Sequence, residues 1–133
     1  MATSSRYTTW FGSYTSSHHN TVLSHYTKMN GNNYSSFTYD CTCTDPSTYA
    51  YVYPDNFGHI YLCSAFWQAP TTGTDSKGGT LVHESSHFTC NGGTQDYAYG
   101  QSDAKNLTKK DPAEAIMNAD NHEYFAENHP SQS

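Results

Sequence analysis

The stretch GTLVHESSHFTCNGGTQDYAYG, Gly79–Gly100, decides how this chain is read. His83 and His87 stand four residues apart, so on a helix both imidazoles project from one face, one turn from each other. Glu84, between them, points toward the same region. Leu81, Val82 and Phe88 flank the pattern and anchor such a helix by apolar contact, while Ser85 and Ser86 are small and leave room on its other faces. Asn91-Gly92-Gly93 then lets the chain reverse, and the first acid beyond that turn is Asp96. Two imidazoles and a carboxylate leave one position open. That is the ligand count of a catalytic zinc site, with a glutamate close enough to take a proton from water. Without a metal, the same pattern reads as a surface helix with two incidental histidines.

Composition narrows the classes. At 133 residues the chain predicts one domain spanning residues 1–133, large enough to bury a core. Only 35% of residues are hydrophobic, so the aromatics (12 Tyr, 6 Phe, 2 Trp) must carry much of that core. Net charge is −6, and the sole lysine pair, Lys109-Lys110, is too small a basic patch to bind nucleic acid. No apolar run approaches the ~20 residues of a membrane span. The opening MATSSRYTTW lacks the apolar centre of a signal peptide. Low charge and abundant Ser, Thr, Asn and Gly nevertheless fit a secreted protein, so the expectation is a leader already removed. Cys41, Cys43, Cys63 and Cys90 form no C-x-x-C pair, and read as disulfide material or as buried thiols. Asn33-Tyr34-Ser35 and Asn106-Leu107-Thr108 are sequons compatible with secretion.

Along the chain, Ser16 or Ser17 can cap a helix with Val22, Leu23, Tyr26 and Met29 on one face, stopped by Asn30–Asn33. Alternation in YAYVYP, the turn DNFG and then HIYLC predict a hairpin, with FTYDCTC (Phe37–Cys43) as a neighbouring strand. A short helix is expected over Tyr97–Leu107. Asp111, Pro112 and Glu114 predict the start of a last helix running to about Asn128. The fold class is therefore α+β: one mostly helical domain with a small antiparallel sheet.

The pieces HESSH and GTQDYAYG together resemble the deuterolysin-like aspzincin metalloendopeptidases, in which an aspartate completes the zinc site. RYTTWFGSY, YDCTCT, YVYP, AFWQAPTTGTDS and MNADNHEYFAEN are similar to the fungal peptidyl-Lys branch of that family, from Arg6 to the C-terminus. The resemblance implies a zincin-like fold and one zinc held by His83, His87 and Asp96. It makes Glu84 the general base and Tyr99 the donor to the developing oxyanion. Outside the resemblance Tyr99 is one of twelve tyrosines and reads as core. Thr94 reads equally as support for a metal ligand or as a turn residue.

Asp120 and Glu123, three apart on the last helix, read on their own as a solvated acidic face. The resemblance makes them the pocket for a lysine side chain, with cleavage on the N-terminal side of that lysine. The implied partners are lysine-containing polypeptides, acted on by a monomer. His18, His19, His25, His59, His122 and His129 are expected at the surface. The resemblance also pairs Cys43 with Cys63, and implies a helical segment ahead of Arg6 that carries a partner for Cys41. Cys90 could stay free, pair with Cys41 or link two chains. A reading from another class is a non-proteolytic binding or defence protein on the same scaffold; Glu84, Asp96 and Tyr99 argue against it, because a binder needs no base.

Overall fold

The computed structural model describes residues 4–133. Its helices are α1 (Ser5–Phe11), α2 (Ser16–Asn30), α3 (Ser64–Gln68), α4 (Lys77–His87), α5 (Gln101–Lys110), α6 (Pro112–Ala115) and α7 (Ala119–Glu127). Three short strands, β1 (Thr38–Asp40), β2 (Ala50–Tyr51) and β3 (His59–Leu62), lie between α2 and α3. The α+β class therefore holds, with one correction to the sheet. Strand order is β1-β3-β2, and β1 runs parallel to β3 while β2 is antiparallel to it. The hairpin forms as predicted. The link from Cys41 to Tyr49, however, carries the chain across β3, so β1 joins the far edge in the same direction as β3. The Cys43–Cys63 disulfide ties that link to the end of β3.

Helix α2 starts earlier than expected, capped not by Ser16 or Ser17 but by the Thr15 hydroxyl, which accepts from the His18 amide at 3.1 Å. Its buried stripe runs through Val22, His25 and Met29, with Tyr26 packed against the same core, which is the spacing of one helical face. Leu23, expected on that face, is exposed, and His25 takes the inward place. Tyr97–Leu107 is helical only from Gln101, because Asp96–Gly100 is an extended loop beside the cleft. The predicted last helix is interrupted. Asp111 caps α6 through the Glu114 amide at 3.2 Å, but Ile116–Asn118 leaves the helical path. Here Gln95 donates to the Met117 carbonyl at 2.8 Å and accepts from Ala119 at 3.0 Å. That pairing removes the backbone groups from the helical ladder and restarts the helix at α7.

Two apolar clusters flank the central pair α4 and α7. One joins Tyr7, Trp10, Phe11, Val22, Ile116 and Phe125; the other joins Ile60, Leu62, Phe66 and Phe88. Aromatics carry much of the core, seven of the eighteen buried hydrophobic residues among those described. Helix α4 is held between them with its histidine face toward α7 and β2.

Candidate active site

Helix α4 begins with the Ser76 hydroxyl accepting from the Gly79 amide at 2.9 Å. Its helical spacing puts His83 and His87 side by side, ring centroids 4.9 Å apart and both buried. Past Phe88 the chain turns at Asn91–Gly93, with Gly93 at φ 59°. The Thr94 amide then bonds back to the Ser86 carbonyl at 3.0 Å, folding the following segment over the helix. This delivers Asp96. Its Oδ1 lies 3.0 Å from His83 Nε2 and 3.1 Å from His87 Nε2. The ligand set read from spacing is thus brought together by the glycine turn.

The other ring nitrogens are committed. His87 Nδ1 donates to the Thr94 carbonyl at 2.8 Å, so Thr94 both ends the turn and orients the His87 ring. His83 Nδ1 meets Asp120 Oδ1 at 2.6 Å, and Asp120 Oδ2 accepts from the Gly100 amide at 2.8 Å. Such partners fix ring orientation and leave each Nε2 facing the ligand position. Burial alone would lower the His83 and His87 pKa values, but Asp120 and Asp96 at His83, and Asp96 at His87, outweigh it and raise both. Against its own burial, Asp96 is held far below the usual carboxylate range by the two imidazoles. Two ring nitrogens converging on one carboxylate oxygen make a place where a divalent cation can replace the protons they hold. The donor set, N, N and O, suits zinc.

Glu84 is buried beside this group, its Oε2 3.8 Å from His83 Nε2, and burial raises its pKa. Tyr99 is 63% exposed, with its ring nearly parallel to that of His83 at 6.5 Å. Partial burial and then the Asp96 charge push its pKa up to about 12, so its hydroxyl keeps the proton it would donate. Asp120 and Glu123 are both buried and both line a cleft of about 600 Å³ shared with Glu84, Tyr99 and β2. Burial is the main cause that lifts the Glu123 pKa to about 9. They do not form the solvated acidic face that their spacing alone suggested.

Two histidines expected at the surface are interior. His122 is fully buried, its Nε2 2.9 Å from the Nδ1 of buried His25. Asn118 escaped the sequence reading altogether: its Oδ1 accepts from the Tyr97 amide at 2.7 Å and the Ala98 amide at 3.2 Å, holding the loop that bears Asp96 and Tyr99. Nothing in its spacing marks it, because its partners lie about twenty residues away. Cys41 and Cys90 are exposed free thiols, so the pairing considered for them is not formed.

Comparison with known proteins gives the same outline. A family model described as lysine-specific metallo-endopeptidase, the aspzincins, matches residues 1–127. A peptidyl-Lys metalloendopeptidase of Grifola frondosa is 70% identical over 132 residues, 99% of this chain and 38% of that protein. A peptidyl-Lys metalloendopeptidase of Pleurotus ostreatus is 60% identical over 130 residues, 98% of this chain and 77% of that protein. The chain thus spans well under half the length of the first of these relatives. The solved structure of a zinc peptidase from Grifola frondosa superposes with a TM-score of 0.98 at 70% identity, covering 99% of this chain and 81% of that one. With an aspartate brought by a glycine turn onto two helical histidines, and with that match along nearly its whole length, the chain belongs to the aspzincin family of metalloendopeptidases.

Proposed function

We propose that the protein is a zinc-dependent endopeptidase that hydrolyses peptide bonds on the N-terminal side of lysine. The observation that carries this reading is the convergence of His83 Nε2, His87 Nε2 and Asp96 Oδ1 beside buried Glu84, in a cleft whose wall also bears Glu123. These three side chains would hold one zinc per chain. When bound, zinc lowers the pKa of water to about 7 and polarises a carbonyl. Glu84, with its pKa raised, takes a proton from the attacking water and passes it to the leaving amine. Tyr99 donates a hydrogen bond to the oxygen on which charge develops. Asp120, together with Glu123 once an entering ammonium displaces its proton, supplies the negative potential that holds the lysine side chain, and Asp120 also orients His83. The ordered Cys43–Cys63 disulfide supports secretion, and the acidic net charge supports polypeptide rather than nucleic-acid partners. We take the active unit to be a monomer.

The test is digestion of an unfolded protein with and without a chelator, reading the new N-termini by mass spectrometry. Lysine should lead most new N-termini, and the chelator should abolish them. Fragments without lysine enrichment, or cleavage undiminished by chelation, would remove this reading. The non-proteolytic alternative has nothing comparable in its favour, since it leaves the buried Glu84 without a role.

A further inference from the structure

Three acids, Asp75, Asp120 and Glu123, line the part of the cleft beside α7, with Glu127 next to them, and their oxygens are engaged very differently. Asp120 uses both, one on His83 and one on the Gly100 amide. Glu127 is committed to backbone and hydroxyl: Oε1 accepts from the Asp75 amide at 3.1 Å, and Oε2 from the Ser76 amide and hydroxyl at 2.9 and 3.0 Å. Gly79 stays bare to admit it, because a Cβ there would stand 1.9 Å from Glu127 Oε2. Glu123 has His83 Nδ1 at 3.5 Å, beyond hydrogen-bond length for a strong pair. Among the described residues Asp75 uses one oxygen, Oδ1, which accepts from the Tyr124 hydroxyl at 2.6 Å. So short an O–H···O bond fits an ionised acceptor.

Asp75 and Tyr124 line the same cavity as Glu123, together with Tyr49 and Thr80. Among the described residues Asp75 is one of two non-glycine residues with positive φ, at 53°. An aspartate this close to the start of a helix could be read from sequence as its cap. Here the cap is Ser76, reinforced by Glu127, so the Asp75 carboxylate is not needed for it. The Glu127 bond to the Asp75 amide instead holds the left-handed backbone that presents the residue to the cleft.

We infer that Asp75 is a further specificity-determining residue, the carboxylate that shares the lysine ammonium with Glu123. This rests on the lysine reading above. An ammonium carries three N–H donors on a compact charge and is best satisfied by more than one acceptor. With both Asp120 oxygens engaged, the acids of this part of the cavity wall left to face an ammonium are Asp75 and, once its proton is displaced, Glu123. Tyr124 holds Asp75 in place by its hydrogen bond, leaving the second oxygen for the ligand. The Tyr49 ring, which lines the same space, packs beside the aliphatic stem of the lysine.

Asp75→Asn is the decisive variant. Asparagine is well tolerated in the left-handed region and keeps the acceptor for Tyr124, so shape is retained and only charge is lost. Peptides with lysine or acetyl-lysine after the cut bond would be compared by kcat/KM, with zinc per chain measured alongside. We expect a loss of about tenfold or more on the lysine peptide, chiefly in KM, and under about twofold on the acetyl-lysine peptide, with zinc unchanged. Tyr124→Phe, which keeps the charge, should lose no more than about threefold on lysine. The inference is overturned if Asp75→Asn leaves lysine cleavage intact, if it weakens both peptides equally, or if Tyr124→Phe matches its loss. A wild-type protein with no lysine preference would overturn the proposed function as well, and so separates the two failures.

Discussion

Glu84 is a carboxylate placed where its charged form is disfavoured, 5% exposed and one residue from a proposed zinc ligand. Its role as base, unlike that of the ligands, depends on one proton site rather than on holding a metal. Glu84→Gln preserves size while removing that site. We expect the variant to bind zinc as the parent does and to lose turnover by about 10²–10⁴-fold. Zinc content and kcat on a lysine peptide check this together, and near-normal turnover would take Glu84 out of the mechanism. Its proposed role as base was expected from its place between His83 and His87. Its burial was not, because that depends on α7 and the strand β2 closing over α4.

At the scale of elements, the site is a contact between α4 and α7, with β2 as the opposite wall of the cleft. The polar residues at helix ends were readable: Asp111 and Pro112 do start α6, and the glycine turn after Phe88 does return the chain to the helix. The break at Ile116–Asn118 was not, since it arises from pairing with Gln95, more than twenty residues earlier. The segment leading into β2 is restrained by the Cys43–Cys63 disulfide, which closes a separation of 20 residues. A loop of that size is worth ~3 kcal/mol by chain entropy. Cys43→Ser with Cys63→Ser should therefore lower the unfolding free energy by about 3 kcal/mol, seen as a lower denaturant midpoint. A midpoint shared with the parent would show that the link is already ordered by its backbone contacts.

The whole molecule encloses a histidine pair. His122 lies among Phe11, Tyr26 and His25, its Nδ1 3.0 Å from the Asn118 carbonyl and its Nε2 facing His25. Burial pushes its pKa down to about 3 from the ordinary 6.5, and burial also lowers that of His25. A depressed histidine pKa means that below pH 6.5 the unfolded chain takes a proton that the folded chain refuses. Stability is then lost as pH falls through the window from 6.5 toward 3, by about 2 kcal/mol between pH 6.5 and 5 for His122 alone. Comparing denaturant midpoints of the parent and His122→Gln across that window isolates this contribution, because other groups titrate in both. The variant should show the shallower acid loss. Parallel curves would mean that His122 is not a source of acid sensitivity.

Local pattern by itself determined what depends on short spacing. Four-residue periodicity set His83 and His87 on one face, two glycines allowed the reversal that brings Asp96, and alternating residues made the hairpin. Each is a constraint between neighbours, and neighbours in sequence are neighbours in space. Tertiary structure alone decided which groups of distant segments meet. It committed Asp120 to His83, put Asp75 in the same cavity as Glu123, turned His25 and His122 inward, and set β1 parallel to β3. Those outcomes follow from competition for buried space and for unpaired hydrogen-bonding groups, which is settled only when the whole chain packs.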